Sequence, residues 1–314
     1  MELQRGSQRL HFDPHLVEEC VLLAVEAAAS SDRRQFHRER DPIYEVDIAE
    51  TREASFRELN ARWSRHFRLA GPLVDALREH PSLEQEIARC LIVRARSAKE
   101  EGADLHDNRE ETRGDSRPVL VIRLRPQTLL HRSSLLALLR HELMYVADML
   151  DPTFGYEPDS ASADGGPTHD HLLRTRYRVL WDATIDGRLV ARGKLSPRAE
   201  KKCQEEFFAL FPMLSSNGQR HFERFFRGPR PTHRELLAFA VRPGDGGTTG
   251  SAADNRCPLC RLPTTRFHPA PESLGTEVLA AVRADFPQWD PRSGLCLQCA
   301  DLFEADVDAR RRQN

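Results

Sequence analysis

Apolar residues recur at helical spacing over most of this chain, so the sequence predicts a mainly α-helical protein. One segment departs from that spacing: Val119–Leu124 is rich in β-branched and aliphatic residues, as a buried strand is. Pro126 follows it and is expected to end the strand. The predicted fold class is therefore α+β, mainly α-helical. Helices are expected at 14–29, 50–69 and 73–99, in a long segment that ends near 150, at 172–192, and in shorter pieces near 197–211, 216–226 and 232–240.

Breaks in the apolar spacing divide the chain into four predicted regions. A charged run at 109–117 separates a helical N-terminal region, 1–112, from a core at 113–241. Residues 242–255 are rich in Gly, Thr and Ser, so a flexible linker is predicted there. A small C-terminal module follows at 256–314, and the linker is expected to decouple it from the core.

Composition limits which partners and which cellular compartment are expected for this protein. Of the 314 residues, 39% are hydrophobic and 30% charged, and the net charge of −2 gives no overall attraction to nucleic acid. No apolar run reaches the length of a membrane span, so no membrane partner is expected. Four of the seven cysteines form two C-x-x-C pairs and the others are scattered, which does not favour a disulfide framework. A cytoplasmic protein is predicted.

The strongest chemical signal lies in the C-terminal module. Cys257 and Cys260 form one C-x-x-C pair, and Cys296 and Cys299 form the other. Two such pairs supply four thiolates, the usual ligand set of a structural Zn²⁺. The second pair opens a helical pattern, which is typical of a zinc ribbon or treble clef. Four free thiols or a redox C-x-x-C are the alternatives. Nucleic-acid binding, protein binding and simple packing on a neighbouring region all remain open for such a module.

A second signal lies in the long helix that follows the strand. His141 and Glu142 precede Tyr145 in an H-E-x-x-Y segment, one residue away from the H-E-x-x-H signature of zinc proteases. Farther along, Asp182 and Asp186 form D-x-x-x-D on a predicted helix, with both carboxylates on one face.

These two segments, with the strand before them, resemble the gluzincin branch of the zincin metallopeptidases. The resemblance implies a zincin-like core over residues 119–190, with Val119–Leu124 along the rim of a cleft that accepts a protein or peptide. It implies that His141 and Asp182 bind a second zinc ion and that Asp186 orients the histidine. Glu142 would be the general base of peptide-bond hydrolysis.

Tyr145 departs from the family pattern, because it stands where the second zinc-binding histidine belongs. The sequence offers Asp148, Asp151, His169 and His171 as replacement ligands. A tyrosine-ligated zinc, a different metal and an empty pseudo-site all remain open. The expected function is that of a zinc metallopeptidase-like protein with Glu142 and Tyr145 in its catalytic site, whether active or degraded. The alternative is a non-enzymatic, zinc-stabilised protein that binds protein or nucleic acid.

Overall fold

The computed structural model describes residues 2–5, 8–106, 116–158, 167–244, 256–264 and 266–312. The chain divides into two compact units, residues 1–150 and 151–314. Both are mainly helical, and a mixed β-sheet lies in the first, which confirms the predicted α+β class in its general form. Within the described part of the chain, no helix combines the length and apolar character needed to cross a membrane.

The sheet of the first unit has five strands, arranged in the order β1-β2-β3-β5-β4. The three inner strands run parallel to one another, and an antiparallel strand lies at each edge. The antiparallel edge strand β4 pairs with β5 in a register that sets Ala103 opposite Ile122. The strands are β1 (Glu2–Arg5), β2 (Gln8–Phe12), β3 (Arg89–Arg94), β4 (Gly102–His106) and β5 (Val119–Leu124).

Helices of the first unit cover the sheet through their apolar stripes. The long helix buries Leu135, Leu139, Leu143 and Val146, which recur every three or four residues and so lie on one face. These side chains join the core that includes Ile92 and other residues of the inner strands. The helices are α1 (Pro14–Ala27), α2 (Ser30–Arg40), α3 (Ala49–His66), α4 (Gly71–Arg78), α5 (Leu83–Glu86), α6 (Pro126–Leu130) and α7 (Arg132–Leu150).

The predicted helical N-terminal region, 1–112, is helical only in part, because four of the five strands of the sheet also lie there. The segment 73–99, expected to be one helix, contains α4, α5 and then β3. In β3 the side chains of Cys90 and Ile92 are fully buried, and the strand pairs on both sides with parallel neighbours. A short apolar run has the same hydrophobic pattern in a buried strand as in a buried helix, so periodicity could not separate them.

The expectation that β5 borders a cleft is also wrong. β5 lies inside the sheet between β3 and β4, and β4 is the edge strand next to α7. Only two apolar residues, Ala103 and Leu105, mark β4 as a strand in the sequence, which explains why it was not predicted.

The second unit is built around one long helix. It packs against the three helices that follow it, and its N-terminal half contributes Leu172 to the core of the C-terminal segment. Thr232 and Glu235 form a capping box at the start of the last of these three helices. The helices are α8 (Pro167–Ala191), α9 (Arg198–Leu210), α10 (Gly218–Arg227), α11 (His233–Val241), α12 (Thr276–Asp285) and α13 (Leu297–Arg311).

The predicted core, 113–241, has residues in both compact units. Residues 245–255, which make up most of the predicted linker, lie outside the described residues. The C-terminal segment shares a hydrophobic core with α8, which revises the expectation that it is decoupled from its neighbour.

Helices α8 and α10 approach each other closely at Gly187, and this contact yields a first prediction. A Cβ placed on Gly187 would lie 1.7 Å from the carbonyl oxygen of Phe226. Gly187→Ala must therefore push the two helices apart, and we expect a loss of about 3 kcal/mol in the free energy of unfolding, measured by urea denaturation. Gly71→Ala is the control, since the added carbon there meets no atom closer than 3.9 Å. Equal stability of the two variants would contradict the described α8–α10 packing.

Candidate metal centre

The structure brings the four predicted cysteines together in the second unit. Their sulfur atoms all lie within 4.8 Å of one another, and each side chain is at most 2% exposed. The Cys257 and Cys299 sulfurs are 3.7 Å apart, and those of Cys260 and Cys296 are 3.8 Å apart. A regular tetrahedron with Zn–S bonds of about 2.3 Å has edges of about 3.8 Å. The donor set and its spacing therefore fit a tetrahedral metal ion, and the distances are far too long for disulfide bonds.

The first cysteine pair lies in a tight knuckle. The backbone N–H of Arg261 donates to the Cys257 carbonyl at 2.8 Å, and the Cys257 N–H donates to the Leu262 carbonyl at 3.2 Å. Arg261 has a φ of 57°, so the chain turns back through the left-handed region immediately after Cys260. This reversal points the sulfurs of Cys257 and Cys260 to the same side.

The second pair lies at the N-terminus of α13. Cys296 is the N-cap residue, and its sulfur accepts a hydrogen bond from the Cys299 N–H at 3.4 Å. The Cys296 N–H in turn donates to the Cys257 sulfur at 3.3 Å. Backbone donors and the positive end of the helix dipole both favour thiolates over thiols. Hydrogen bonds from Cys260, Cys296 and Cys299 hold the pKa of Cys257 well below its usual range.

Helix α8 supports this centre from the side. The Nδ1 atom of His169 lies 2.6 Å from the Cys260 carbonyl oxygen, and Leu172 shares a hydrophobic core with all four cysteines. His169 was predicted only as a replacement ligand for the core site. The structure instead gives it a backbone contact at the four-cysteine centre.

The H-E-x-x-Y residues lie in the first unit, on α7. Glu142 Oε2 accepts a hydrogen bond from the Ala103 N–H of edge strand β4 at 3.2 Å. A Cβ on Gly102 would lie 3.1 Å from the same oxygen, so the strand and the carboxylate approach closely. Glu142 Oε1 lies 3.3 Å from His141 Nδ1, and the Tyr145 ring packs edge-on against the imidazole with centroids 5.3 Å apart.

The D-x-x-x-D residues lie in the second unit, on α8. Asp182 forms a long ion pair with Arg178, 3.9 Å between Oδ2 and Nε. Burial raises the pKa of the Cys203 thiol on α9, and the charges of Asp186 and Asp182 add to that rise. Both carboxylates therefore lie near α9. Whether they meet His141 in a second zinc site stays a prediction.

Asp151, another suggested replacement ligand, is bonded within the second unit. Its carboxylate accepts hydrogen bonds from the N–H and hydroxyl of Thr153 and pairs with Arg230 at 2.5 Å. These contacts lower the pKa of Asp151 to about 2.

No protein-family model matches the sequence, and no significant match is found among curated proteins or solved structures.

The geometry of the four sulfurs predicts how the centre responds to the loss of one ligand. Cys299→Ser should leave the centre with three thiolates, reduce tightly bound zinc from one ion per chain to none, and lower the free energy of unfolding of the second unit by at least about 3 kcal/mol. That loss is a fraction of the 10 to 16 kcal/mol that structural zinc contributes in small zinc-dependent folds. Elemental analysis and denaturant unfolding measure the two effects.

Cys203→Ala is the matched control for this prediction, because Cys203 is a buried cysteine outside the cluster. It should retain the zinc ion. Retention of zinc by Cys299→Ser as well would rule out the four-sulfur centre.

Proposed function

We propose that this chain is a zinc metallopeptidase-like protein in which Tyr145 has weakened or removed the catalytic metal site. In this proposal the first unit binds an extended peptide along β4, and the four-cysteine centre is a structural zinc site of the treble-clef type. The observation that carries the proposal is the hydrogen bond between Glu142 and the backbone of edge strand β4.

Edge strand β4 offers a place for an extended peptide. Ala103 donates its N–H to Glu142, so this group points away from β5. Backbone groups alternate in direction along an antiparallel strand, and Leu105 therefore presents its N–H and carbonyl to the same outer side. A peptide that pairs there would run past Glu142, as in other cases of strand addition to a sheet edge.

The surroundings of His141 support weak catalysis rather than efficient catalysis. A zinc ion would supply Lewis acidity at this helix, and Glu142 would take the proton of the attacking water. Here Glu142 already accepts a hydrogen bond from the Ala103 N–H and contacts the imidazole of His141. Tyr145 occupies the position of the second zinc-binding histidine, and its ring packs against the same imidazole. A phenol binds zinc only after losing a proton of pKa near 10, so tyrosine is a poorer ligand at neutral pH.

The treble-clef assignment has separate support. A knuckle provides Cys257 and Cys260, and the first turn of α13 provides Cys296 and Cys299. Nucleic-acid binding by this segment has less support, because residues 256–312 contain eight arginines and eight acidic residues and no lysine.

The proposal predicts a gain of function on restoring the histidine. Tyr145→His should raise the zinc affinity of α7 by more than about 10-fold. Removing a residue that only orients a metal ligand already lowers affinity by at least about 10-fold, and a direct ligand should matter more. Zinc content should rise from one to two ions per chain, and cleavage of a fluorescently labelled unstructured protein should appear or increase. Adding Glu142→Gln to this variant should abolish cleavage and leave both zinc ions bound.

Two results would contradict this proposal. If the parent protein cleaves as fast as Tyr145→His, then tyrosine is a working part of the site. If neither cleaves with zinc supplied, catalysis is the wrong class and the non-enzymatic alternative replaces it.

A further inference from the structure

Arg176 on α8 is a buried cation, and the side chains of Gln298 and Phe211, which contact it, carry no charge that would compensate its own. Its side chain is 1% exposed and is the largest among the fully buried ones in the described part of the chain. One terminal nitrogen donates to Gln298 Oε1 at 3.0 Å, and the guanidinium lies 5.8 Å from the centre of the Phe211 ring. Among the residues that the structure describes, none is a hydrogen-bond partner of its Nε or of its other terminal nitrogen. Burial of a guanidinium with so few partners is costly unless a negative charge lies nearby.

The negative charge is that of the cysteine centre. Gln298, which holds the guanidinium, lies between Cys296 and Cys299 in the first turn of α13. Burial lowers the pKa of Arg176, whereas the charges of Cys260, Cys296 and Cys299 raise it. The arginine is thus within electrostatic reach of three of the four sulfurs.

One face of α8 carries this arrangement. His169, Leu172 and Arg176 follow one another at intervals of three and four residues, so they project to the same side of the helix. His169 contacts the Cys260 carbonyl, Leu172 enters the core around the cysteines, and Arg176 reaches Gln298. Gln298 also donates to the Leu210 carbonyl at 2.8 Å, which fixes its amide.

The charge balance explains why an arginine is buried at this point. Four thiolates around Zn²⁺ carry a net charge of −2, and this charge lies in an interior that excludes water. The backbone N–H groups of Cys296 and Cys299 donate to the sulfurs of Cys257 and Cys296 and offset part of it. One guanidinium offsets half of the formal charge. We propose that Arg176 is the counter-cation of the zinc–thiolate centre and couples metal binding to the packing of α8. This inference rests on the zinc occupancy proposed above.

The test compares three substitutions at Arg176 with a control on the same helix. Arg176→Met removes the charge and keeps the length, Arg176→Gln is a second neutral variant, and Arg176→Lys keeps the charge. Arg174→Met removes an exposed charge two residues away. Zinc affinity is measured on the full-length protein by competition with a chromogenic chelator, and thermal unfolding is followed with zinc and with EDTA.

The charge role predicts a loss of zinc affinity of about 10- to 100-fold for Arg176→Met, as for other residues that support metal ligands. The affinity of Arg176→Lys should lie above that of the neutral variants, and that of Arg174→Met should match the parent. With EDTA the metal is removed and Arg176 no longer balances the charge of a zinc–thiolate complex, so Arg176→Met should then be as stable as the parent or more stable. With zinc it should be less stable.

A packing role alone would destabilise Arg176→Met equally with and without zinc and leave zinc affinity at the level of Arg174→Met; either result overturns the inference. If Arg176→Met does not fold, Arg176→Lys and Arg176→Gln decide, and equal zinc affinities for these two would also overturn it. A parent protein that binds no zinc would refute the structural zinc site itself, which distinguishes that failure from the failure of Arg176 as counter-cation.

Discussion

Four sulfur atoms within 4.8 Å of one another, buried from water, impose the strongest physical constraint on the second unit. At these separations the cysteines are not joined by disulfides, and four thiolates without a cation would repel one another in a medium of low dielectric constant. A divalent ion bound to the four sulfurs would remove this repulsion and connect the knuckle to α13. Because α8 shares a core with this segment, the same ion is expected to stabilise the helical part of the unit.

In the first unit, the residues proposed for catalysis also make structural contacts. His141 and Glu142 would serve a metal-dependent hydrolase, yet both of their side chains make contacts inside the unit, and Glu142 ties α7 to β4. A carboxylate that anchors an edge strand can remain useful after metal binding is lost, since the hydrogen bond to Ala103 does not need the metal.

Local signals in the sequence were sufficient to predict the features that only a few neighbouring residues determine. The two C-x-x-C pairs identified the cysteine cluster, and β5 and the end of α7 near Leu150 were recognisable from composition and from the proline that follows. The inner strand β3 was missed, because its pairing partners lie far away in the chain and only their contact distinguishes it from a helix. Arg176 carried no signal either. Its role depends on α8 lying beside the cysteines, which no spacing along the chain expresses.

Zinc K-edge X-ray absorption on the full-length parent protein tests the central claim most directly, because it reports the atoms around every bound zinc ion. The account predicts a single shell of four sulfurs at about 2.3 Å, with no nitrogen or oxygen neighbours, since the four cysteines bind zinc and the helix with Tyr145 does not. A protein without zinc, or a shell in which nitrogen or oxygen at about 2.0 to 2.1 Å joins the sulfurs, would contradict it.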